Sequence, residues 1–229
     1  LMDIRLYIEG CKEYWNGDEK VIKKCNSMIQ FLDYNWDLEN GMNSLKISDY
    51  NTKGMDYIPD STNCTFFNFA YTTGGNKKQE AASGGSYGFG KAAFYCMSEI
   101  KTIIVSTMNT VGDIAFLGET MLFAGRVDKK NRVSTGYYAT GIDDKPITDE
   151  GHIPDRFVRK SSGTDVTIIG LSKSDRGKAY EECKKEVLRH FWLAIYDNKL
   201  EVKIGAEVIN SANLEDLLLK QYPELDDLV

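Results

Sequence analysis

The chain has 229 residues, 42% of them hydrophobic, and carries 28 basic against 34 acidic side chains, for a net charge of −6 and a pI near 5.1. That composition supports a sizeable core, so disorder is not the default; it argues against a surface built to wrap nucleic acid, and the chain contains no apolar run approaching the ~20 residues that cross a bilayer. Five cysteines, Cys11, Cys25, Cys64, Cys96 and Cys183, are odd in number and widely spaced without a C-x-x-C pair. This usage fits reduced, buried thiols better than a disulfide framework or a zinc site, and with a start, LMDIRLYIEG, that is not a signal peptide, it leads to the expectation of a soluble cytoplasmic protein.

Ile4, Ile8, Cys11 and Trp15 recur at helical spacing, Asn16-Gly17-Asp18 stops that helix and caps the next, and Val21, Ile22, Cys25, Met28, Ile29 and Leu32 repeat the pattern. An antiparallel helical pair is predicted. "SLKISDY" alternates Leu45, Ile47 and Asp49 and reads as a short strand ending on a carboxylate. Residues 51–63 are turn-rich, "CTFFNFAY" has the composition of a short helix, and residues 72–90 hold six glycines in nineteen positions. A polar, glycine-rich stretch of this length inside a domain marks a lid or a binding loop. "KAAFYCMSEI" then reads as a buried helix and "KTIIVSTMN" as a strand.

The second half reads mostly as strands, at residues 113–125, in "STGYYATGI" and in "GTDVTIIGL". A long amphipathic helix follows with Tyr180, Cys183, Val187, Phe191 and Ala194 on one side, then the strand "KLEVKIG" and the closing helix "NLEDLLLKQY". The order of elements predicts an α+β fold, a two-layer sandwich with helices on one face of a mixed, mostly antiparallel sheet, in a single domain over residues 1–229.

The run "GGSYGFGKAAF" poses the main functional question. Gly85, Gly90 and Lys91 satisfy G-x-x-x-x-G-K, but Ala92 stands where a P-loop has its hydroxyl, and "NKKQEAAS" stands where a P-loop has its strand. A dinucleotide fingerprint fails on the same missing strand, and its glycine order is reversed at Gly85, Gly88 and Gly90. What remains is a glycine-rich loop running into a helix near Lys91, where free N–H groups, the helix dipole and a lysine converge on an anion. The alternative for this loop taken alone is a surface turn without a ligand.

Three stretches occur in order: "SDYNTKGM" at 48–55, "GGSYGFGKAA" at 84–93 and "SGTDVTIIGL" at 162–171. Together they resemble the glycine boxes of the GHKL ATPases, the superfamily of gyrase B, the heat-shock chaperone ATPases, MutL and the sensor histidine kinases, and more narrowly its prokaryotic ATP-binding proteins. The resemblance implies a Bergerat-type ATP-binding fold with residues 61–90 as ATP lid and glycine loop. It also implies that Asp49 accepts a hydrogen bond from the adenine amino group, a role in which a carboxylate would repel the carbonyl of guanine. Asn51, Gly54 and Met55 fall in the first box, where Asn51 replaces a family glycine and one extra residue precedes Gly54. Gly85, Ser86, Tyr87, Gly88, Phe89, Gly90 and Lys91 form the second box around the phosphates. Gly163 and Thr164 match the third, in which the threonine hydroxyl supports the adenine site. Read without the resemblance, Asp49 is a turn aspartate capping Asn51 and Thr52, Thr164 is a residue of high strand propensity, and Lys77 and Lys78 are solvated.

The family also has a helix with the pattern E-x-x-x-N ahead of the first box, whose asparagine holds Mg²⁺ and whose glutamate activates water. Among the asparagines of the predicted helical pair, Asn16 follows Lys12, Asn26 follows Ile22 and Asn35 follows Phe31 at that spacing, so none qualifies. The expectation is an N-terminally truncated ATP-binding module of a larger protein, with ATP as ligand and Mg²⁺ only where an upstream helix supplies its asparagine. Catalytic residues are not assigned. ATP or ADP, other domains of the larger protein and a nucleotide-dependent homodimer are the expected partners, with no membrane and no indicated nucleic acid. A degenerate interaction domain of the same fold is the alternative, and a histidine-kinase catalytic domain a weaker one. His152 and His190, the two histidines, are read as packed or solvated.

Overall fold

The computed structural model describes residues 2–36, 41–72, 89–141, 143–171, 176–222 and 225. They fall into two compact units, 1–172 and 173–229. No helix among the described residues is long and apolar enough to cross a membrane.

In the first unit α1 (Met2–Tyr14) and α2 (Glu19–Asn35) form the predicted pair. Asp18 starts the second helix as its N-cap, its Oδ1 accepting from the backbone N–H groups of Lys20 at 2.9 Å and Val21 at 3.2 Å. The helices bury Ile4, Ile8, Cys11, Val21, Cys25, Met28 and Leu32 against Ile100, Leu122 and Ile169 at one end of the sheet. Burial pushes the Cys11 thiol up to about 11, so it stays protonated and unreactive.

The remaining strands and α-helices of this unit are β1 (Ser44–Ser48), α3 (Thr65–Tyr71), α4 (Phe89–Met97), β2 (Thr102–Met108), β3 (Ile114–Met121), β4 (Gly125–Val127), β5 (Lys130–Arg132), β6 (Thr135–Tyr138) and β7 (Gly163–Ile169). Five of the strands make one sheet in the order β1-β7-β2-β3-β6, every neighbouring pair antiparallel. The sheet is therefore not mixed. Strand alternation sends Leu45, Ile47, Ile103, Val105, Ala115, Leu117, Val166 and Ile168 to one face, and Phe66 and Ala70 of α3 with Tyr95 of α4 cover it. This is the helix-on-sheet α+β arrangement expected. On the other face Phe116 packs with Ile147, Ile153 and Phe157 from the segment before β7.

The stretch 113–125, read as strand, is not one strand. It breaks after Met121, and β4 pairs with β5 in a separate hairpin against α1. The second unit comprises α5 (Arg176–Tyr196), the hairpin β8 (Val202–Ile204) and β9 (Glu207–Ile209), and α6 (Leu214–Asp216), which continues as a π-turn over Leu217–Gln221. Within it α5 buries Lys184, Leu188 and Ile195, whereas Tyr180, Cys183 and Phe191 of the predicted apolar side are exposed. The buried row escaped the pattern because it contains Lys184, whose Nζ is paired with Glu181 at 2.5 Å and Glu207 at 2.9 Å while its stem is covered.

The contact of α1 with β4 is unusually close: a Cβ on Gly10 would lie 2.4 Å from the Arg126 carbonyl oxygen. Gly10→Ala is therefore expected to lower stability by about 1–3 kcal/mol, although alanine is favoured over glycine in a helix by about 1 kcal/mol. Gly17→Ala, where nothing lies within 4 Å of the added carbon, should stay within about 0.5 kcal/mol of the parent protein. Urea denaturation midpoints of the two variants check the difference.

Candidate functional site

The strand registers place Asp49, Thr164, Thr107 and Ala115 in one row on the helix-covered face, at the end of the sheet where β1 stops and β7 begins. Asp49 continues the β1 pairing by one residue. Its N–H donates to the Thr164 carbonyl at 2.9 Å, and its Oδ1 accepts from the Thr164 N–H at 2.8 Å and the Thr52 hydroxyl at 2.6 Å. Arg159 donates to the Asp49 carbonyl at 2.7 Å. Every polar group of this aspartate is thus engaged except Oδ2, which has no partner among the described residues, and the side chain is exposed.

Thr107, fully buried at the next position of the row, organises the other side. Its hydroxyl accepts from the Met55 N–H at 2.8 Å and lies 3.1 Å from both the Gly163 carbonyl and the Thr164 hydroxyl. A hydroxyl has one proton. Since the carbonyl can only accept, Thr107 donates to Gly163, and the Thr164 hydroxyl donates to Thr107. The Thr164 oxygen then keeps free acceptor capacity beside Asp49.

Two glycines are required by the backbone here. Gly54 has φ +64°, and a Cβ would sit 2.1 Å from the Met108 carbonyl oxygen. Gly163 has φ +132°, and a Cβ would fall 2.3 Å from the Asp49 carbonyl oxygen and 2.6 Å from Asp49 Oδ1. Asn51 adopts the left-handed conformation at φ +58°, which its short amide tolerates. Asp49, Asn51, Gly54, Met55 and Thr164 are therefore brought to one corner, together with Thr107 and Arg159, which the sequence did not single out. Thr107 carried a weak signal, a polar pair with Ser106 inside an apolar strand. Arg159 carried none.

Gly85, Ser86, Tyr87 and Gly88 lie outside the described residues, as do Lys77, Lys78 and most of the 61–90 stretch. Phe89, Gly90 and Lys91 open α4, and a Cβ on Gly90 would meet nothing within 4 Å. Lys91 turns inward. Its Nζ donates to the Ala70 carbonyl at 2.6 Å, lies 2.6 Å from Oε2 of the buried Glu119, and sits over the rings of Phe69 and Tyr95. The approach to Glu119 is off the hydrogen-bond direction, so the contact is an ion pair. Burial, reinforced by the Glu119 charge, pushes the neighbouring Tyr95 phenol far up and Tyr137 up to about 12, so both stay neutral.

The E-x-x-x-N spacing does occur once ahead of Asp49, at Glu39 and Asn43. Gly41 between them has φ +74° and Asn43 leads into β1, so Asn43 is not on a helix, and Glu39 lies outside the described residues. No group of three or more His, Cys, Asp or Glu side chains among the described residues is arranged to hold a metal ion.

A cavity of about 680 Å³ opens on the opposite face of the sheet, over Thr167, Ile104, Gly118 and Tyr138. It contains none of the residues of the Asp49 corner and is lined mainly by apolar groups. The corner, not this cavity, is where oriented polar groups converge. The chain matches no protein-family model, no curated protein and no solved structure.

The Lys91–Glu119 pair is expected to be structural. Lys91→Met should destabilise by about 3–5 kcal/mol, because it strands a buried carboxylate, and adding Glu119→Leu should recover most of that loss. Chemical denaturation of the single and double variants measures both. A Lys91→Met protein as stable as the parent would mean that the ammonium is free for another partner.

Proposed function

We propose that residues 1–172 form an adenine-nucleotide-binding unit of the GHKL type with a Bergerat-like fold, in which Asp49 reads the base. The carrying observation is the state of the Asp49 carboxylate. One oxygen is held by Thr164 and Thr52, and the other, on an exposed residue, has no partner among the described residues. A fixed acceptor of this kind suits the adenine amino group, whereas guanine presents a carbonyl at the corresponding position. The Thr164 hydroxyl, left with acceptor capacity, supplies a second point for the base or a bridging water.

The phosphates are assigned to the opening turn of α4, where the first N–H groups of a helix lack intrahelical partners and the dipole favours an anion. Lys91 contributes there only by leaving Glu119. In this reading ATP acts by population shift, favouring one conformation to the extent that its γ-phosphate contacts that state better than ADP does, and the unit works with other domains or a second copy. Five free cysteines, three of them buried, support a reducing, cytoplasmic setting. Among the described residues neither a helical E-x-x-x-N pattern nor a His, Cys, Asp or Glu cluster accompanies the corner, so no metal ligand is assigned here. The proposal therefore covers binding, and no hydrolytic step is assigned to this chain.

Asp49→Asn tests the base assignment. The amide oxygen can replace Oδ1 toward Thr164 and Thr52, which turns an NH₂ donor toward the base. Loss of a charge-assisted hydrogen bond predicts ATP binding weakened by about 10-fold or more, with GTP binding unchanged or improved. Calorimetric titration of both nucleotides decides it, and a folded Asp49→Asn protein with the parental ATP-to-GTP preference would sink the assignment.

A further inference from the structure

The Asp49 corner depends on a side chain that makes no direct approach to the proposed base. Arg159, 5% exposed, donates from Nη1 to Asp165 Oδ1, from Nε to the Ser161 carbonyl at 3.2 Å, and from Nη2 to the carbonyls of Asp49 at 2.7 Å and Ser162 at 3.4 Å. Its planar face lies 5.1 Å from the centre of the Tyr50 ring. Asp165, 3% exposed, also has the Lys46 ammonium at 2.7 Å from Oδ2, so its charge is met from two sides. Neutralising Asp165 does not require Nη2 to reach Asp49.

That reach has a geometric effect. Asp49 is already tied to Thr164 through its N–H and its Oδ1, and the Arg159 bond to its carbonyl fixes a third point on the same residue. Three ties set the direction of the Cα–Cβ bond and with it the direction of Oδ2. Gly163 is the thin wall between the two partners, because a Cβ there would fall 2.6 Å from both Arg159 Nη2 and Asp49 Oδ1.

We propose that Arg159 is the positioning residue for base selectivity, acting through the main chain of Asp49. The proposal rests on the adenine reading of that aspartate. Arg159→Lys keeps a positive charge beside Asp165, but one ammonium lacks the planar fork that spans Asp165 and the Asp49 carbonyl together. Asp165→Asn is the companion variant, since it removes the neutralised charge and leaves the tie to Asp49.

Two measurements on the full chain are made on each folded variant. In Arg159→Lys, amide hydrogen exchange at Thr164 is expected to accelerate about tenfold while Val166 and Ile168 on the same strand keep their protection. ATP binding is expected to weaken about tenfold and the ATP-to-GTP preference to fall in step, with competition by tripolyphosphate unchanged. Asp165→Asn is expected to keep the preference. An Arg159→Lys protein with parental Thr164 protection and parental ATP-to-GTP preference overturns the proposal and leaves Arg159 as a counter-ion for Asp165. Equal loss of preference in both variants overturns it too, by making the effect one of general packing. A parent protein that does not prefer ATP over GTP overturns the Asp49 reading and this proposal together, whereas a parental preference that survives Arg159→Lys overturns this proposal alone.

Discussion

The burial of Arg159 beside Asp165 constrains this end of the molecule. A charge inside a strand is tolerable only when paired and hydrogen-bonded, and Asp165 sits in β7 between β1 and β2. Lys46 reaches it from β1, and Arg159 reaches it from the segment ahead of β7. Burying Arg159 creates a second demand, for its other N–H groups must find acceptors in a space with little water. The carbonyls of Ser161, Ser162 and Asp49 meet it. The chain from 159 to 163 is folded back by that demand, and Gly163 takes φ +132° because no other residue fits between Arg159 and Asp49. The exposed corner is thus a consequence of compensation beneath it, which is how a solvent-facing carboxylate can be held in one orientation.

The two polar ends of the helix-covered face are kept apart by the sheet itself. Thr107 and Ile103 are four residues apart on β2, about 13 Å at 3.3 Å per residue, and the row between them, Ile47, Val166, Val105 and Leu117, is apolar. At the far end Ile103 adjoins Glu119, which is paired with Lys91 of α4. The Glu119 charge is met by Lys91 at one end and the Asp49 carboxylate is exposed at the other, so the apolar middle packs against Phe66 and Tyr95 with no charge placed in it. The sheet therefore provides a rigid span whose ends carry different chemistry.

Most elements were legible because they obey simple periods. Ile4, Ile8 and Cys11 mark a helix, Asp18 marks its neighbour's start, and the alternation of Leu45, Ile47 and Asp49 marks a strand whose last side chain falls on the covered face. Where the reading went wrong, composition hid the geometry. Residues 113–125 carry apolar side chains on both sides of Glu119 and Thr120 and end in the apolar run 121–124, so nothing in them signals the break after Met121, where the chain turns to meet Gly10 and Cys11 of α1. In α5 the buried row runs through Lys184, and Tyr180, Cys183 and Phe191 of the predicted apolar side are exposed. Of the corner, Asp49, Gly54 and Thr164 could be found from motif order. Arg159 could not, because its importance lies in hydrogen bonds to carbonyl groups, which any residue carries and no pattern reports.

Lys91 shows the limit of reading charge from sequence. Placed after a glycine run at the start of a helix, it has the signature of an anion ligand, yet its ammonium is turned toward Glu119, 28 residues further along the chain. A phosphate at this helix start would meet the dipole and the free N–H groups without a nearby uncompensated ammonium, and α4 has no acidic residue in its first turn to oppose it. Drawing Lys91 outward would add a charge to the anion and simultaneously strand a buried carboxylate, an exchange that gains little unless Glu119 takes up a proton or a new partner. In the proposed site the anion is therefore held through the backbone, with Lys91 kept as the link between α4 and the sheet.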